Sequence, residues 1–189
     1  SWNGWGVDLE NRRFQPTPGL TADEVPRLQL RWAFAFPNVT DAGSQATIVA
    51  GRALLGTRSG LVYSLDATTG CVQWVHEAPA SVRSAISVGP APGGGFTAYF
   101  GDALATAHAV DVMTGALRWS TSVEEHPASL ITGAPTLYEG RLYVPVSSLE
   151  EGRRRLDDAG ERLGAPRRGD EDRDDDGGGE DADRGDDGC

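Results

Sequence analysis

The chain has 189 residues and a formal net charge of −11, and all seventeen of its basic residues are arginine. Residues 1–149 carry nine Arg against twelve acidic residues, a net of −3, and residues 150–189 carry eight against sixteen, a net of −8. The acidity is therefore mostly a property of one end, and the composition excludes a basic nucleic-acid surface, a membrane-spanning apolar run and, with two cysteines, a disulfide framework.

In chain order, residues 1–20 hold aromatics and turn formers without a helical period. Thr21 and Glu24 have capping-box spacing, but Pro26 stops any long helix. Leu28, Leu30, Trp32, Phe34 and Phe36 alternate in "LQLRWAFAF", which predicts a strand. Short apolar runs then follow, separated by turn residues. "ATIVA", "ALLGT", "LVYSLD" and "CVQWVHEA" form one set. "SAISVG", "TAYFGD", "ATAHAVD" and "ALRWSTSV" form a second, and "GAPTLYEGRLYVPVSS" begins a third.

The sets are repeats. "DATTGCVQW" starts at Asp66 and "DVMTGALRW" at Asp111, an offset of 111 − 66 = 45 that also pairs Gly56 with Gly101, Gly70 with Gly115 and Trp74 with Trp119. A period of about 45 residues with about four short strands per repeat is that of a propeller blade. The glycine closes a turn at positive φ, and the Asp and Thr side chains bond its amides. The tryptophan is expected to pack on the neighbouring blade rather than to form a site. Two departures mark the second copy, where Ala105 replaces Gly60 and His108 replaces Tyr63. The expected fold is all-β: a partial propeller of about three four-stranded blades over residues 1–150, then a tail over 151–189. Past residue 150 the large apolar residues are Leu156 and Leu163, too few to offset the entropy of ordering it, so disorder is expected. The tail reads either as out-of-frame translation of GC-rich DNA or as an acidic linker.

The Asp-x-x-Thr-Gly-x-x-x-Trp turns, with "WNGWGVDLENRRFQ", "GCVQWVHEAPASVRSAISVG" and "HPASLITGAPTLYEGRLYVPVSSLEE", resemble quinoprotein alcohol dehydrogenases, in particular polyvinyl alcohol dehydrogenases. The resemblance covers residues 2–151. It implies the N-terminal part of an eight-bladed propeller holding pyrroloquinoline quinone (PQQ) and calcium. It further implies oxidation of a secondary or polymeric alcohol, transfer of electrons to a cytochrome c, and a periplasmic or secreted location.

Carried over residue by residue, the resemblance places Arg83 on the quinone oxygens, Thr132 on a quinone carboxylate, and Ser147 and Ser148 on the wall of the same pocket. Glu150 becomes the calcium ligand, with Glu151 as the alternative register. The chemistry is coherent, since arginine binds carboxylate and quinone oxygens with charge-assisted bonds and calcium takes oxygen ligands. Each residue also has an ordinary structural explanation: a rim arginine, a turn threonine, strand-end serines and the first residue of a solvated tail. The family's base aspartate and adjacent-cysteine disulfide have no counterpart here, and no Cys-x-x-Cys-His haem site occurs. No catalytic residue is assigned, and the 189-residue chain alone is expected to be inactive. The alternative is a propeller scaffold without cofactor. His76, His108 and His126 lack metal-ligand spacing, and His108 is expected to be a packed strand residue.

Overall fold

The computed structural model describes residues 3, 5, 6, 10, 12–37 and 43–149. Glu150 and the tail lie outside them. Strands β1 (Thr47–Val49), β2 (Arg52–Gly56), β3 (Leu61–Asp66) and β4 (Val72–Glu77) form one antiparallel sheet in chain order. Strands β5 (Ser87–Pro90), β6 (Phe96–Gly101), β7 (Thr106–Asp111) and β8 (Leu117–Ser122) form a second of the same order. Both sheets carry an irregularity at the same place, Ser64/Leu65 in β3 and Ala109/Val110 in β7. The repeat is thus structural as well as sequential.

Beyond these two blades come β9 (Ser129–Leu130), β10 (Thr136–Tyr138), β11 (Arg141–Tyr143) and β12 (Ser147–Ser148). The hairpin β10–β11 corresponds to β1–β2, and both turn on two residues with positive φ, Ala50-Gly51 and Glu139-Gly140. Such two-residue turns match the right-handed twist of the strands. The described part of the third repeat is its first hairpin plus the pair β9–β12, the beginning of the third blade that the spacing predicts.

The repeated turns close as their composition dictates. Asp66 Oδ1 accepts the amides of Thr68 and Thr69, both at 2.9 Å, and the Thr69 hydroxyl at 3.1 Å. Asp111 repeats this with Met113, Thr114 and the Thr114 hydroxyl. Gly70 and Gly115 sit at φ 80° and 72°, and a Cβ on either would lie 2.7 Å from an indole.

Those indoles are the joints between repeats. Trp74 is buried in the core between the two sheets with Leu54, Val62, Val82, Ile86, Phe100 and Val110, and its Nε1 donates to Val112 O at 2.9 Å. Trp32 does the same one repeat earlier: its Nε1 donates to Ala67 O at 3.2 Å, and its ring covers Gly70. Residues 28–36 are not a strand, contrary to the alternation. They run extended without a ladder, and Trp32, Phe34 and Phe36 pack on Ala53, Tyr63 and Leu65 of the first sheet. The alternating face holds only from Trp32 to Phe36, where it meets side chains rather than a strand edge; Leu28 and Leu30 are exposed. Trp119, the third member of the series, is 40% exposed beside Tyr99.

Thr21 and Glu24 form only half of the capping box that their spacing predicts, since the Glu24 amide donates to the Thr21 backbone carbonyl and not to its hydroxyl. The Glu24 carboxylate accepts the Thr21 amide at 2.8 Å and hydroxyl at 2.9 Å, ahead of a single 3₁₀ turn at Val25–Arg27 that contains Pro26. Asn3 reaches the innermost strand of the second blade. Its side chain donates to Val88 O and accepts from Val88 N, both at 2.7 Å, and so occupies that strand's backbone groups as a neighbouring strand would.

Candidate cofactor-binding site

The inner strands of successive repeats are tied by hydroxyls. Thr47 Oγ1 donates to Ile86 O at 2.5 Å, and Ser87 Oγ donates to Pro135 O. Thr47, Ser87 and Thr136 are thus equivalent. Counting back four from Ser87 and Thr136 gives Arg83 and Thr132, which are equivalent to each other. The preceding residues confirm the register. Val82 N donates to Thr57 O at 2.9 Å, and Ile131 N donates to Asp102 O at 3.0 Å. Val82 lies against Gly56 and Ile131 against Gly101, where a Cβ would be 2.5 and 2.2 Å from the nearest side-chain atom. The two glycines therefore permit the approach that sets Arg83 and Thr132 at matching points of consecutive blades.

Thr132 and Ser147 meet. Their hydroxyl oxygens are 3.0 Å apart, both residues are exposed, and Ser147 sits across from Leu130 in the β9–β12 pair. Fifteen residues separate them in sequence, and the close packing of Pro145 on Gly133 helps to hold the two segments together. Ser148 is exposed beside Ser147 and pairs with Ser129. Arg83 is exposed, and its guanidinium forms no hydrogen bond or ion pair among the described residues. Next to it, Ser84 is buried with no partner for its Oγ, and the Ser81 Oγ is likewise unpartnered. Glu150, the candidate calcium ligand, lies outside the described residues, and within them no group of three or more His, Cys, Asp or Glu side chains could hold a metal.

A second polar cluster sits beneath this surface. Asp102 and His108 are buried, and His108 Nε2 lies 2.9 Å from Asp102 Oδ2. Burial pushes the Asp102 carboxyl up. The bonds from His108 and from the amides of Thr106 and Leu104 outweigh it and hold the group below the usual carboxylate range. His108 stacks on Phe100 with ring centroids 5.0 Å apart, and His76 meets both rings. His108 is thus the packed strand residue that the sequence predicts. The sequence marked Ala105 and His108 as departures but not Asp102. The missed signal was Thr57 becoming Asp102 at the same offset.

The repeat geometry has counterparts elsewhere. The PQQ_2 family model, described as outer membrane protein assembly factor BamB, matches residues 28–162. The chain belongs to the PQQ_2 family. This PQQ_2 chain is 45% identical over 153 residues to a polyvinylalcohol dehydrogenase from a Pseudomonas species, covering 79% of the chain and 24% of that protein. A polyvinylalcohol dehydrogenase from Sphingopyxis sp. (strain 113P3) is 39% identical over 150 residues, covering 78% of the chain and 23% of that protein. Among solved structures, the quinohemoprotein alcohol dehydrogenase ADHIIG of Pseudomonas putida HK5 superposes with a TM-score of 0.69 at 22% identity, over 79% of this chain and 23% of that one. The quinohemoprotein alcohol dehydrogenase of Comamonas testosteroni superposes with 0.67 at 21% identity, over the same shares. These likenesses establish the propeller fold of this PQQ_2 member. The chain spans about a quarter of the length of the curated relatives it matches.

Proposed function

We propose that the chain supplies blades and part of the cofactor pocket of a PQQ- and calcium-dependent alcohol dehydrogenase acting on a secondary or polymeric alcohol. The meeting of Thr132 and Ser147, with Arg83 at the equivalent point of the preceding blade, carries this reading. PQQ bears three carboxylates, and the groups offered here are a guanidinium without an ion partner among the described residues and two adjacent hydroxyls, of which Ser147 Oγ donates to Leu130 O at 3.4 Å and must turn to serve a carboxylate. The donor set therefore fits the group. When bound, the quinone supplies the two-electron acceptor for oxidation of an alcohol to a carbonyl. In this proposal Arg83 holds quinone oxygens by charge-assisted bonds, and Thr132 and Ser147 orient a carboxylate. Ser148 lines the wall, and Glu150 contributes a carboxylate to calcium. Electron transfer to a cytochrome c and a periplasmic or secreted location belong to the same proposal. No helix among the described residues is long and apolar enough to cross a membrane.

Titration of PQQ with calcium into the full chain, followed by tryptophan fluorescence, tests the site. Saturable quenching is expected, weakened about tenfold by Arg83→Ala and less by Thr132→Val, as befits one charged and one neutral bond. Equal affinity in both variants would remove these residues from the pocket. The 189-residue chain alone is expected to give no PQQ-dependent dye reduction, because the two complete blades and the start of a third among the described residues do not close a ring.

A second reading is a cofactor-free propeller scaffold, favoured by the description of the matching family model. The Trp32 and Trp74 joints serve either function. Saturable quinone uptake that depends on Arg83 favours the cofactor pocket over the scaffold.

A further inference from the structure

We propose that the buried Asp102–His108 pair is a positioning device that sets Thr132 against Ser147. The proposal rests on the reading of Thr132 and Ser147 as cofactor contacts, and its geometry begins at the turn between β6 and β7. Asp102 Oδ1 accepts the amides of Leu104 at 2.9 Å and Thr106 at 3.0 Å, while Oδ2 takes the His108 ring. Asp102 N donates to Thr106 O at 3.0 Å. Every polar arm of the residue is thereby engaged, and its remaining group, the carbonyl, receives the amide of Ile131. Thr132 follows directly. The Ile131 side chain is seated against Gly101, which precedes Asp102. The link from pair to site is one side chain, one peptide and one hydrogen bond.

The first blade shows what the pair replaces. There Thr57 Oγ1 accepts the Leu61 amide at 3.1 Å and donates to the Leu61 carbonyl at 2.9 Å, Gly60 supplies the positive φ, and Tyr63 packs on Phe34 and Phe36. Thr57 O fixes Val82, ahead of Arg83. In the second blade Ala105 takes the positive φ, at 55°, a strained conformation for a residue with a Cβ. The carboxylate compensates by binding two amides of that turn, and His108 locks the carboxylate. Three coordinated departures, Asp102, Ala105 and His108, thus converge on the turn that anchors Thr132.

Amide exchange in the full chain reads the device directly. Asp102→Ala is expected to speed exchange at Ile131 about tenfold, one hydrogen bond's worth of local opening, while Val82, the equivalent amide of the other blade, stays protected. The double replacement Asp102→Thr with His108→Tyr, the pair of the first blade, is expected to restore protection. Should Asp102→Ala not fold, His108→Phe keeps a ring on Phe100, removes only the bond to Asp102, and is expected to act in the same direction. Unchanged Ile131 exchange, or an equal rise at Val82, would overturn the proposal. PQQ titration supplies the second arm. His108→Phe is expected to weaken binding in the native background and to have no further effect in Thr132→Val; independent, additive losses would overturn the positioning role. If the native chain takes up no PQQ while Ile131 responds as expected, the cofactor reading falls and the positioning of Thr132 stands.

Discussion

At the scale of single residues, the glycines of the chain separate into those that need only a backbone conformation and those that also need space. Gly51 and Gly115 have nearly the same φ, 74° and 72°, but a Cβ on Gly51 would meet nothing within 4 Å, whereas one on Gly115 would lie 2.7 Å from the Trp74 ring. Gly51→Ala should cost the left-handed penalty, about 1 kcal/mol. Gly115→Ala should cost that and a further overpacking term of about 1–3 kcal/mol. Chemical denaturation of the two variants gives the difference, and equal losses would mean that Trp74 yields without cost. The turn residues were legible in the sequence because their chemistry is local: an aspartate binds amides two and three positions on. The contact between Thr132 and Ser147 was not legible from spacing. It arises from a β9–β12 pairing that no periodicity announces, and only the family resemblance put both residues at one pocket.

At the scale of elements, the joints between repeats decide cohesion. Trp74 contributes a buried ring and one bond to Val112 O. Trp74→Phe keeps most of the ring and loses the bond, and should destabilise by about 1 kcal/mol. Trp74→Ala opens a cavity between the sheets and should destabilise by about 3–5 kcal/mol. Thermal unfolding of both variants checks the order, and similar losses would show that the hydrogen bond rather than the ring holds the blades. The four-strand rhythm of the first two blades was readable because short apolar runs alternate with turn formers at a fixed offset. The segment from Leu28 to Phe36 misled because its alternation reports a buried side only at Trp32, Phe34 and Phe36, leaves Leu28 and Leu30 exposed, and does not say whether the backbone finds a ladder. Trp32 lies 42 residues before Trp74 rather than 45, so the repeat offset did not flag its docking role.

At the scale of the whole molecule, the titrating groups that bear on stability all favour neutral pH. Burial holds the His76 ring below its ordinary value, and the nearby His108 adds to this against an opposing bond from Gly115. A histidine depressed in the folded state adds stability above the ordinary value of about 6.5 that is lost as pH falls through that range. Asp66 is held low by the amides of Thr69 and Thr68, and Asp102 and Asp111 are held low by their partners against the opposing effect of burial. Their contribution is present above the ordinary carboxylate value of about 3.9 and disappears below it. Melting temperature should therefore fall in two stages on acidification. His76→Phe, which copies Phe34 at the equivalent joint, should flatten the first and leave the second; a variant that keeps the first stage would place its origin elsewhere. The joints also have a direction. Trp32 waits for a carbonyl 35 residues ahead of it and Trp74 for one 38 ahead, and neither reaches backwards. On a ribosome each blade thus emerges with its indole unsheathed and stays so until the next turn is made, roughly 2–8 s later at about 5–20 residues per second. Assembly of the repeats is vectorial, and the interval between one tryptophan and its following turn is the window in which a nascent chain exposes the surface a chaperone would hold.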